Sequence, residues 1–377
     1  MPKDIIAPQK TAFLFKGGRR ARLAQGGEFP TEFFYGYVQL AASGHDVTIL
    51  ESSDFGIGER IPRLWGLLST LIYGLTGIQV YAVWRFTRQC ALQTFNTYDS
   101  IIVSTTAFGV VLALLKALGL VRPQLIFIVM GALDFQANPL RRWVIVRLLQ
   151  KIKIVTISKG ELEHLRAVFS NTANIQYLPF GVDNTFWSPD ARSKPPDDNT
   201  YVLSIGNDAN RDYATLINAW KPEYPELKIV TSLSMPPRGD NVSVIRGNWN
   251  QQIMSDSDIR DLYRNALFVI VPIKVTTQPS GQSVCLQAMA CGKAVILTDT
   301  PGLWDRDLMV ADQSCILVPA DSVENLTKTV GELLAESGRL ETIGHNAKNV
   351  IDQQLNVQVM ADRLSAILLT DVKTNGS

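Results

Sequence analysis

The residues from Val271 to Leu303 form the stretch whose types and spacing most clearly permit chemistry. Apolar segments at its two ends, Leu267 to Pro272 and Ala294 to Thr298, predict buried strands. Between them, the small polar residues Ser280 to Ser283 (with Gly281 and Gln282) begin a predicted helix of about ten residues. The first N–H groups of a helix have no partner inside it, and the helix dipole adds partial positive charge there. This end of the helix is therefore predicted to bind a phosphate group.

A second candidate segment follows a short predicted strand, Thr11 to Phe15. It is rich in glycine, which lets backbone approach a ligand closely, so we expect Gly26 and Gly27 to bind a ligand ahead of a predicted helix, Phe29 to Ser43. The basic side chains of this segment are Lys16, Arg19, Arg20 and Arg22. They belong either to a solvated loop or to a site for an anionic substrate or a lipid head group. The segment lacks G-x-G-x-x-G spacing, which argues against a dinucleotide site.

Two other places contain candidate polar residues. Asn248 and Trp249 lie in a predicted turn at a strand end and either contact a nucleotide base or, for the tryptophan, pack in the core. Glu28 and Asp134 are candidates for contact with an acceptor hydroxyl. Four cysteines without C-x-x-C spacing and only three histidines support neither a disulfide framework nor a zinc site. We expect no metal and no cofactor.

Amino-acid composition further narrows the possible classes of protein. A chain of 377 residues with 46% hydrophobic content can form two cores of ordinary size. Lys plus Arg number 36 against 35 for Asp plus Glu, so the charge gives no reason to propose a nucleic acid as partner. The N-terminus has no apolar stretch typical of a signal peptide, so we expect a cytoplasmic protein.

Strand and helix patterns alternate along the whole chain, which predicts an α/β fold with parallel sheets. Residues 190–200 are polar and Pro-bearing, which indicates a linker. Two similar halves imply a cleft between two facing Rossmann-like domains. The expected divisions are a first domain at 1–187, a linker at 188–200, a second domain at 201–355, and a C-terminal helix and tail at 356–377.

The segment from Leu64 to Trp84 contains no charged residue and is bracketed by arginines. Its length would permit a membrane span, but the predicted strands on both sides belong to one sheet and must lie on one side of a membrane. Leucines at helical spacing fit either a helix packed in the core or one lying in a membrane interface with arginines toward the phosphates.

These motifs together resemble the GT-B glycosyltransferases of the family 4 type. The resemblance rests on GGEFPTEFFYGYVQLAASGHDV, on IVTISKGELEHL with NIQYLPFGVD, on SIGNDANRDYATLINAW, and on the Ser280 helix followed by AMACGKAV, in family order from about residue 13 to 305. It implies a retaining transfer of a sugar from a nucleoside diphosphate carrier, most commonly UDP, without a bound metal. It also implies a C-terminal helix that crosses back to the first domain.

The resemblance assigns roles to individual residues, but this sequence also departs from the family pattern at several of the family's functional positions. It implies that Gly206, Asn207 and Arg211 contact the donor, with Arg211 neutralising the leaving diphosphate. Where the family has two glutamates, this chain has Pro279 and Gln287. Gln287 is expected to bind a ribose hydroxyl, while the role of the first glutamate falls to Gln278, Thr277 or Gln282, or to no residue. Gln282 is, with Arg211, the expected catalytic group.

Three hypotheses remain open at this point. The first is a transferase with a lipid or lipid-linked acceptor, peripheral on the inner face of the membrane through residues 60–88. The second is a soluble transferase for a polar acceptor, in which the 64–84 segment is buried. The third is a non-catalytic binder of nucleotide sugars, suggested by the missing glutamates.

Overall fold

Two parallel β-sheets, each flanked by helices, organise the chain. The structure is a computed structural model that describes residues 9–57, 63–131, 138–170, 173–189, 201–237, 239–247 and 254–369. The predicted alternation of strands and helices is confirmed, and the predicted strands are found within one or two residues of their expected positions. The predicted linker at 190–200 lies outside the described ranges.

The first domain contains a six-stranded sheet. Its strands are β1 (Thr11–Phe15), β2 (Val47–Glu51), β3 (Ser100–Val103), β4 (Gln124–Val129), β5 (Lys153–Thr156) and β6 (Ile175–Tyr177). Its helices are α1 (Arg19–Gln25), α2 (Tyr37–Ala42), α3 (Arg63–Thr76), α4 (Val80–Phe86), α5 (Gln89–Phe95), α6 (Thr106–Ala117), α7 (Pro139–Leu149) and α8 (Lys159–Val168). The strand order is β2-β1-β3-β4-β5-β6. The central strands are buried because helices cover both faces, as parallel sheets require.

The second domain repeats this plan. Its strands are β7 (Tyr201–Ile205), β8 (Glu226–Val230), β9 (Val242–Ile245), β10 (Ala266–Val271), β11 (Val295–Asp299) and β12 (Ile316–Pro319), in the order β12-β11-β10-β7-β8-β9. Its helices are α9 (Tyr213–Ala219), α10 (Asp256–Asn265), α11 (Gln282–Ala290), α12 (Val323–Ala335) and α13 (Ser337–Gln354), followed by α14 (Val357–Leu369). The strand order reverses between β7 and β10, and ligands bind α/β sheets beside such points.

The N-terminal segment differs from its prediction. Three of the four basic residues, Arg19, Arg20 and Arg22, lie in α1 and not in a loop. The single helix expected from Phe29 to Ser43 is replaced by a 3₁₀ helix, Glu32–Phe34, and the short α2. The break lies at Tyr35 and Gly36, which both adopt left-handed backbone with φ of 51° and 86°. Gly36 is required there because a Cβ would lie 3.2 Å from the Cα of Ala361.

The charge-free segment from Leu64 to Trp84 lies on the surface. It forms α3 and α4, and the leucines of α3 whose exposure is described point outward: Leu67 is 71% exposed, Leu71 61% and Leu75 44%. The alternative in which this segment is buried in the core is therefore wrong for these leucines. None of the helices in the described ranges is both long and apolar enough to cross a membrane.

The C-terminal helix α14 returns to the first domain, as expected. It packs against α2, and the Lys153 ammonium in β5 donates a 3.0 Å hydrogen bond to the carbonyl of Ile367. The Nε2 of His45, in the loop between α2 and β2, lies 3.1 Å from the hydroxyl of Ser365. The main chain crosses between the domains beside Val182, whose N–H and carbonyl bond to Leu355 and Val357.

Candidate functional site

A cleft of about 760 Å³ lies between the two domains, where the carboxyl ends of both sets of strands meet. The first domain lines it with the start of α1, the 3₁₀ helix, and the ends of β4 and β5. The second domain lines it with the loop after β7 and with the residues from Gln278 to Gln287 around the start of α11. Its position and size suit a ligand larger than a single sugar.

Arg211 and the N-terminus of α11 lie side by side in this cleft. The side chain of Arg211 is 2% exposed, and its Nε forms an ion pair of 2.8 Å with Asp208. Its Nη1 has no hydrogen-bond partner among the described residues and lies 2.9 Å from where a Cβ on Gly281 would be. Gly281 caps α11 in left-handed backbone, with φ 78°. A buried guanidinium N–H without a partner costs free energy, and a bound anion would supply that partner.

The loop that contains Arg211 is held rigidly. Gly206 lies directly under the guanidinium, since a Cβ there would be 2.0 Å from the Nε of Arg211. Asn207 lines the cleft, but its amide bonds to the carbonyl of Gly247 and the N–H of Ser232, at 3.1 and 2.6 Å. Asn207 therefore joins two loops, and its amide NH₂ group has a second N–H beyond the bond to Gly247 that can meet a ligand in the cleft.

The start of α11 is fixed by contacts to both domains. Ser280 accepts a 2.8 Å hydrogen bond from the side chain of Asn210. The amide of Gln282 donates to the carbonyl of Ile157 in the first domain at 2.9 Å, while its Oε1 is buried without a hydrogen-bond partner in the described structure. Ser283 also lines the cleft. The first N–H groups of a helix lack partners inside it, and the cleft-lining residues Ser283 and Val284 lie in this first turn beside Arg211. Together with Arg211 they form an electropositive wall.

The three candidates for the missing first glutamate fall into two groups. Gln278 and Gln282 line the cleft, whereas Thr277 is exposed outside it. Gln278 accepts from Asn210 at 3.2 Å and packs against Gly131 of the first domain, where a Cβ would lie 2.9 Å from its amide carbon.

Gln287 lies in the floor of the cleft, but the protein itself binds both ends of its amide. Its Nε2 donates to Glu32 at 2.9 Å, and its Oε1 accepts from the hydroxyl of Tyr263 at 3.3 Å. Glu32 is fully buried and also accepts from the indole N–H of Trp187 at 2.8 Å. Burial raises the pKa of Glu32, while the bonds from Gln287 and Trp187 oppose this shift.

Of the four basic residues of the N-terminal segment, two line the cleft and two do not. Arg19 and Arg22 line the cleft, and Arg22 forms an ion pair with Asp256 across its mouth. Arg20 instead pairs with Asp54 and Glu51, and Lys16 is exposed. Of the four, Arg19 and Arg22 are therefore the ones placed to meet an anion in the cleft, because Arg20 pairs within the first domain and Lys16 precedes α1 in an exposed position.

Three other candidates, Gly26, Gly27 and Glu28, do not line the cleft. Gly26 and Gly27 are exposed, with no atom within 4 Å of a Cβ placed on either, because the predicted helix does not start after them. Gly18, which caps α1, contacts the cleft in their place. Glu28 is exposed and pairs with Arg260 at 3.5 Å. Asn248, Trp249 and Asp134 lie outside the described residues.

Glu161 is a buried acid beside the cleft that sequence patterns did not reveal. Its Oε1 accepts from the N–H of Gly131, a cleft residue, at 2.8 Å, and its Oε2 has no hydrogen-bond partner within the described ranges. Burial raises its pKa to about 7, and the bond from Gly131 opposes this shift. In the sequence it reads only as the third residue of a helix capped by Ser158.

Comparison with known proteins agrees with this geometry. Residues 204–336 match the family model described as Glycosyl transferases group 1. This match covers the cleft-facing segments of the second domain, including Arg211 and α11. No curated protein matches the chain at the level of sequence.

Solved structures match almost the whole chain. Sucrose-phosphate synthase from Thermosynechococcus elongatus is 20% identical, with a TM-score of 0.72 over 97% of this chain and 100% of that one. A glycosyltransferase from Rickettsia africae is 12% identical, with a TM-score of 0.67 over 98% and 100%. HepE of Anabaena, solved with UDP and glucose, is 16% identical, with a TM-score of 0.65 over 96% and 100%. The chain therefore has the GT-B fold.

Proposed function

We propose that the protein is a retaining glycosyltransferase that moves a sugar from a nucleoside diphosphate sugar, namely a UDP-sugar, to a hydroxyl acceptor on a lipid or lipid-linked molecule. The observation that carries this proposal is the Nη1 of buried Arg211, which lies beside the N-terminus of α11 and has no hydrogen-bond partner in the part of the chain that the structure describes. HepE, which shares the fold, was solved with UDP and with UDP-glucose, and this supports the choice of nucleotide.

The proposed chemistry is stabilisation of a leaving diphosphate. When the bond between sugar and phosphate breaks, negative charge grows on the phosphate oxygens and the sugar becomes cationic. Fixed N–H dipoles and a guanidinium in a buried wall stabilise that charge without having to reorganise. Arg211 serves this role, because its planar N–H groups match the spacing of phosphate oxygens.

In this proposal, retention of the anomeric configuration depends on which group takes the proton of the acceptor hydroxyl. Both described acids that line the cleft, Asp208 and Asp256, are engaged in ion pairs with arginines. The departing phosphate is then the strongest base near the acceptor hydroxyl. A hydroxyl that gives its proton to this phosphate approaches the sugar from the face the phosphate leaves, so the configuration is kept.

A thermal-shift screen with UDP-, GDP- and ADP-sugars tests the donor assignment, since a ligand that binds the folded state raises its apparent stability. We expect a UDP-sugar to give the largest shift and Arg211→Ala to abolish it. Arg339→Ala, which removes an arginine from α13 outside the cleft, is the matched control. An undiminished shift in Arg211→Ala would remove Arg211 from the site.

Product analysis tests transfer and its stereochemistry. With an α-linked donor, the anomeric proton coupling of the product should show an α-linkage, and a β-linkage would contradict retention. Donor binding without transfer or slow hydrolysis would instead support a non-catalytic binder.

The membrane part of the proposal rests on a surface formed by α3, α4 and α7. Besides the leucines of α3, it exposes Trp84, Leu140 and Trp143, which are 51%, 49% and 60% exposed. Helices α4 and α7 both pack against α3. Sequence positions 60–98 and 135–160 contain arginines and lysines but no Asp or Glu. Exposed apolar side chains among charges of one sign suit an anionic bilayer surface.

Vesicle flotation tests this surface. We expect the protein to float with vesicles that contain phosphatidylglycerol and to remain at the bottom with phosphatidylcholine alone. Leu67→Ser/Leu71→Ser should reduce flotation severalfold, because it removes apolar area that would enter the interface. Leu118→Ser, at a residue 63% exposed outside this surface, is the control. Equal flotation of the control and the double variant would favour a soluble transferase for a polar acceptor.

A further inference from the structure

The buried carboxylate of Glu32 is a titratable group that the proposed transfer step does not use. It belongs to the first domain, yet one of its closest donors, the Nε2 of Gln287, belongs to the second domain at a sequence separation of 255 residues. Trp187 and the N–H of Asp183 provide its other bonds, at 2.8 and 3.4 Å. A fully buried acid held by neutral N–H donors is costly to desolvate, which calls for a functional explanation.

The indole N–H of Trp187 can only donate, so the Oε1 of Glu32 that it contacts is an acceptor. The amide of Gln287 contacts the same oxygen and must therefore turn its NH₂ group toward Glu32. The hydroxyl of Tyr263 then meets the oxygen of the amide. An amide has two N–H groups and two lone pairs, so one of each remains after these contacts. Because Gln287 lines the cleft, the remaining pair is available to a ligand there.

We propose that Glu32 is a positioning residue of the donor site: from the first domain it fixes Gln287 of the second in the one orientation that binds a hydroxyl of the donor. This inference rests on the proposed function, since it takes the ligand to be a nucleoside diphosphate sugar. The floor of the donor site is then complete only when the two domains are in this arrangement. Binding of the donor and closure of the domains are coupled through this contact.

Exchange of the two side chains tests the inference. Glu32→Gln leaves two amides that can pair in either orientation, so the donor KM should rise about tenfold with kcat changed much less. Gln287→Glu places two carboxylates at 2.9 Å and should raise the donor KM about a hundredfold. The double variant Glu32→Gln/Gln287→Glu restores one donor and one acceptor between the two side chains, but the indole N–H of Trp187 then meets the NH₂ group introduced at position 32. Its KM should therefore fall from that of Gln287→Glu to about that of Glu32→Gln.

Two controls separate positioning from a purely structural role. Glu28→Gln changes an acid in the same segment whose side chain is 83% exposed, and it should leave the KM unchanged. The unfolding midpoint without ligand is measured beside the affinity for UDP, obtained by calorimetry. Variants that lower only the midpoint while UDP affinity and KM stay at wild-type values would overturn the inference.

Three further outcomes would contradict the pairing of the two residues, the proposed function, or both. A double variant no better than Gln287→Glu would overturn the pairing of the two residues. Binding of UDP by the wild type without sugar transfer would overturn the proposed function alone, because the same variants can still be compared by UDP affinity. Absence of UDP, GDP and ADP binding by the wild type would overturn both.

Discussion

Two helices, α1 and α11, begin at the cleft from opposite domains, and both start after a glycine in left-handed backbone. The φ angles of Gly18 and Gly281 are 82° and 78°, so the local cap geometry is nearly the same. Their surroundings differ. Helix α1 has seven residues and none is buried, whereas eight of the nine residues of α11 are buried.

The difference shows that burial, more than cap geometry, makes a helix start suitable for an anion. Around α11, excluded water strengthens the N–H dipoles, and Arg211 adds a fixed charge. Around α1, the arginines are drawn into ion pairs with Asp54 and Asp256. We therefore assign the contact with the diphosphate in the proposed reaction to the start of α11 and not to that of α1.

The largest expected effect comes from substituting the two cap glycines in parallel. In Gly281→Ala, the new Cβ would lie 2.5 Å from Val271 and 2.9 Å from Arg211, on top of the strain of left-handed backbone. UDP affinity should fall about a hundredfold, or about 3 kcal/mol. Gly18→Ala, with nothing within 4 Å, should cost only about 1 kcal/mol of stability. Calorimetry with UDP measures the first effect and denaturant unfolding the second; similar affinity losses in both would contradict the comparison.

A smaller effect concerns Glu161, a side chain of the first domain that is buried beside the cleft although the start of α1 is not. Its pKa is raised to about 7 from its usual 4.5, so its favourable contribution is complete at low pH and is lost as the pH rises through 7. The free energy of unfolding of the wild type should therefore fall by about 2 kcal/mol between pH 5 and 8, relative to Glu161→Gln. Glutamine still accepts from Gly131. Parallel stability curves for the two proteins would contradict this assignment.

The smallest expected effect is at the mouth of the cleft. Arg22→Ala removes the ion pair with Asp256, whose side chains are 27% and 22% exposed. Because such a pair is partly screened by solvent, we expect the donor KM to change by about threefold or less, and less at high salt. Arg20→Ala, whose ion pairs lie within the first domain, should leave the KM unchanged. The donor KM is measured by steady-state kinetics at two salt concentrations. A much larger rise in the KM of Arg22→Ala would mean that α1 binds the donor directly.

Much of the fold could be predicted from the sequence because apolar strands and amphipathic helices have local signatures. The phosphate-binding potential of Ser280 to Ser283 is also local, since it depends on one helix start. The segment after Phe29 could not be predicted, because Gly36 adopts its left-handed turn to admit Ala361, a contact that no local pattern encodes. Glu32 was missed for the same reason: its role depends on a hydrogen bond to Gln287, far away in the sequence.

The two segments that connect the domains meet at Val182, and this contact has a mechanical consequence. The segment that leaves the first domain and the one that returns to it bond to each other there, through an isolated bridge between Val182 and Asn356. A side chain on Gly181 would collide with the carbonyl of Asn356, at 2.1 Å, so the two crossings touch. Two connections that meet at one place fix a pivot there and resist separation of the domains at that point. Opening of the molecule should therefore leave this point nearly in place, with the widest displacement at the rim farthest from it.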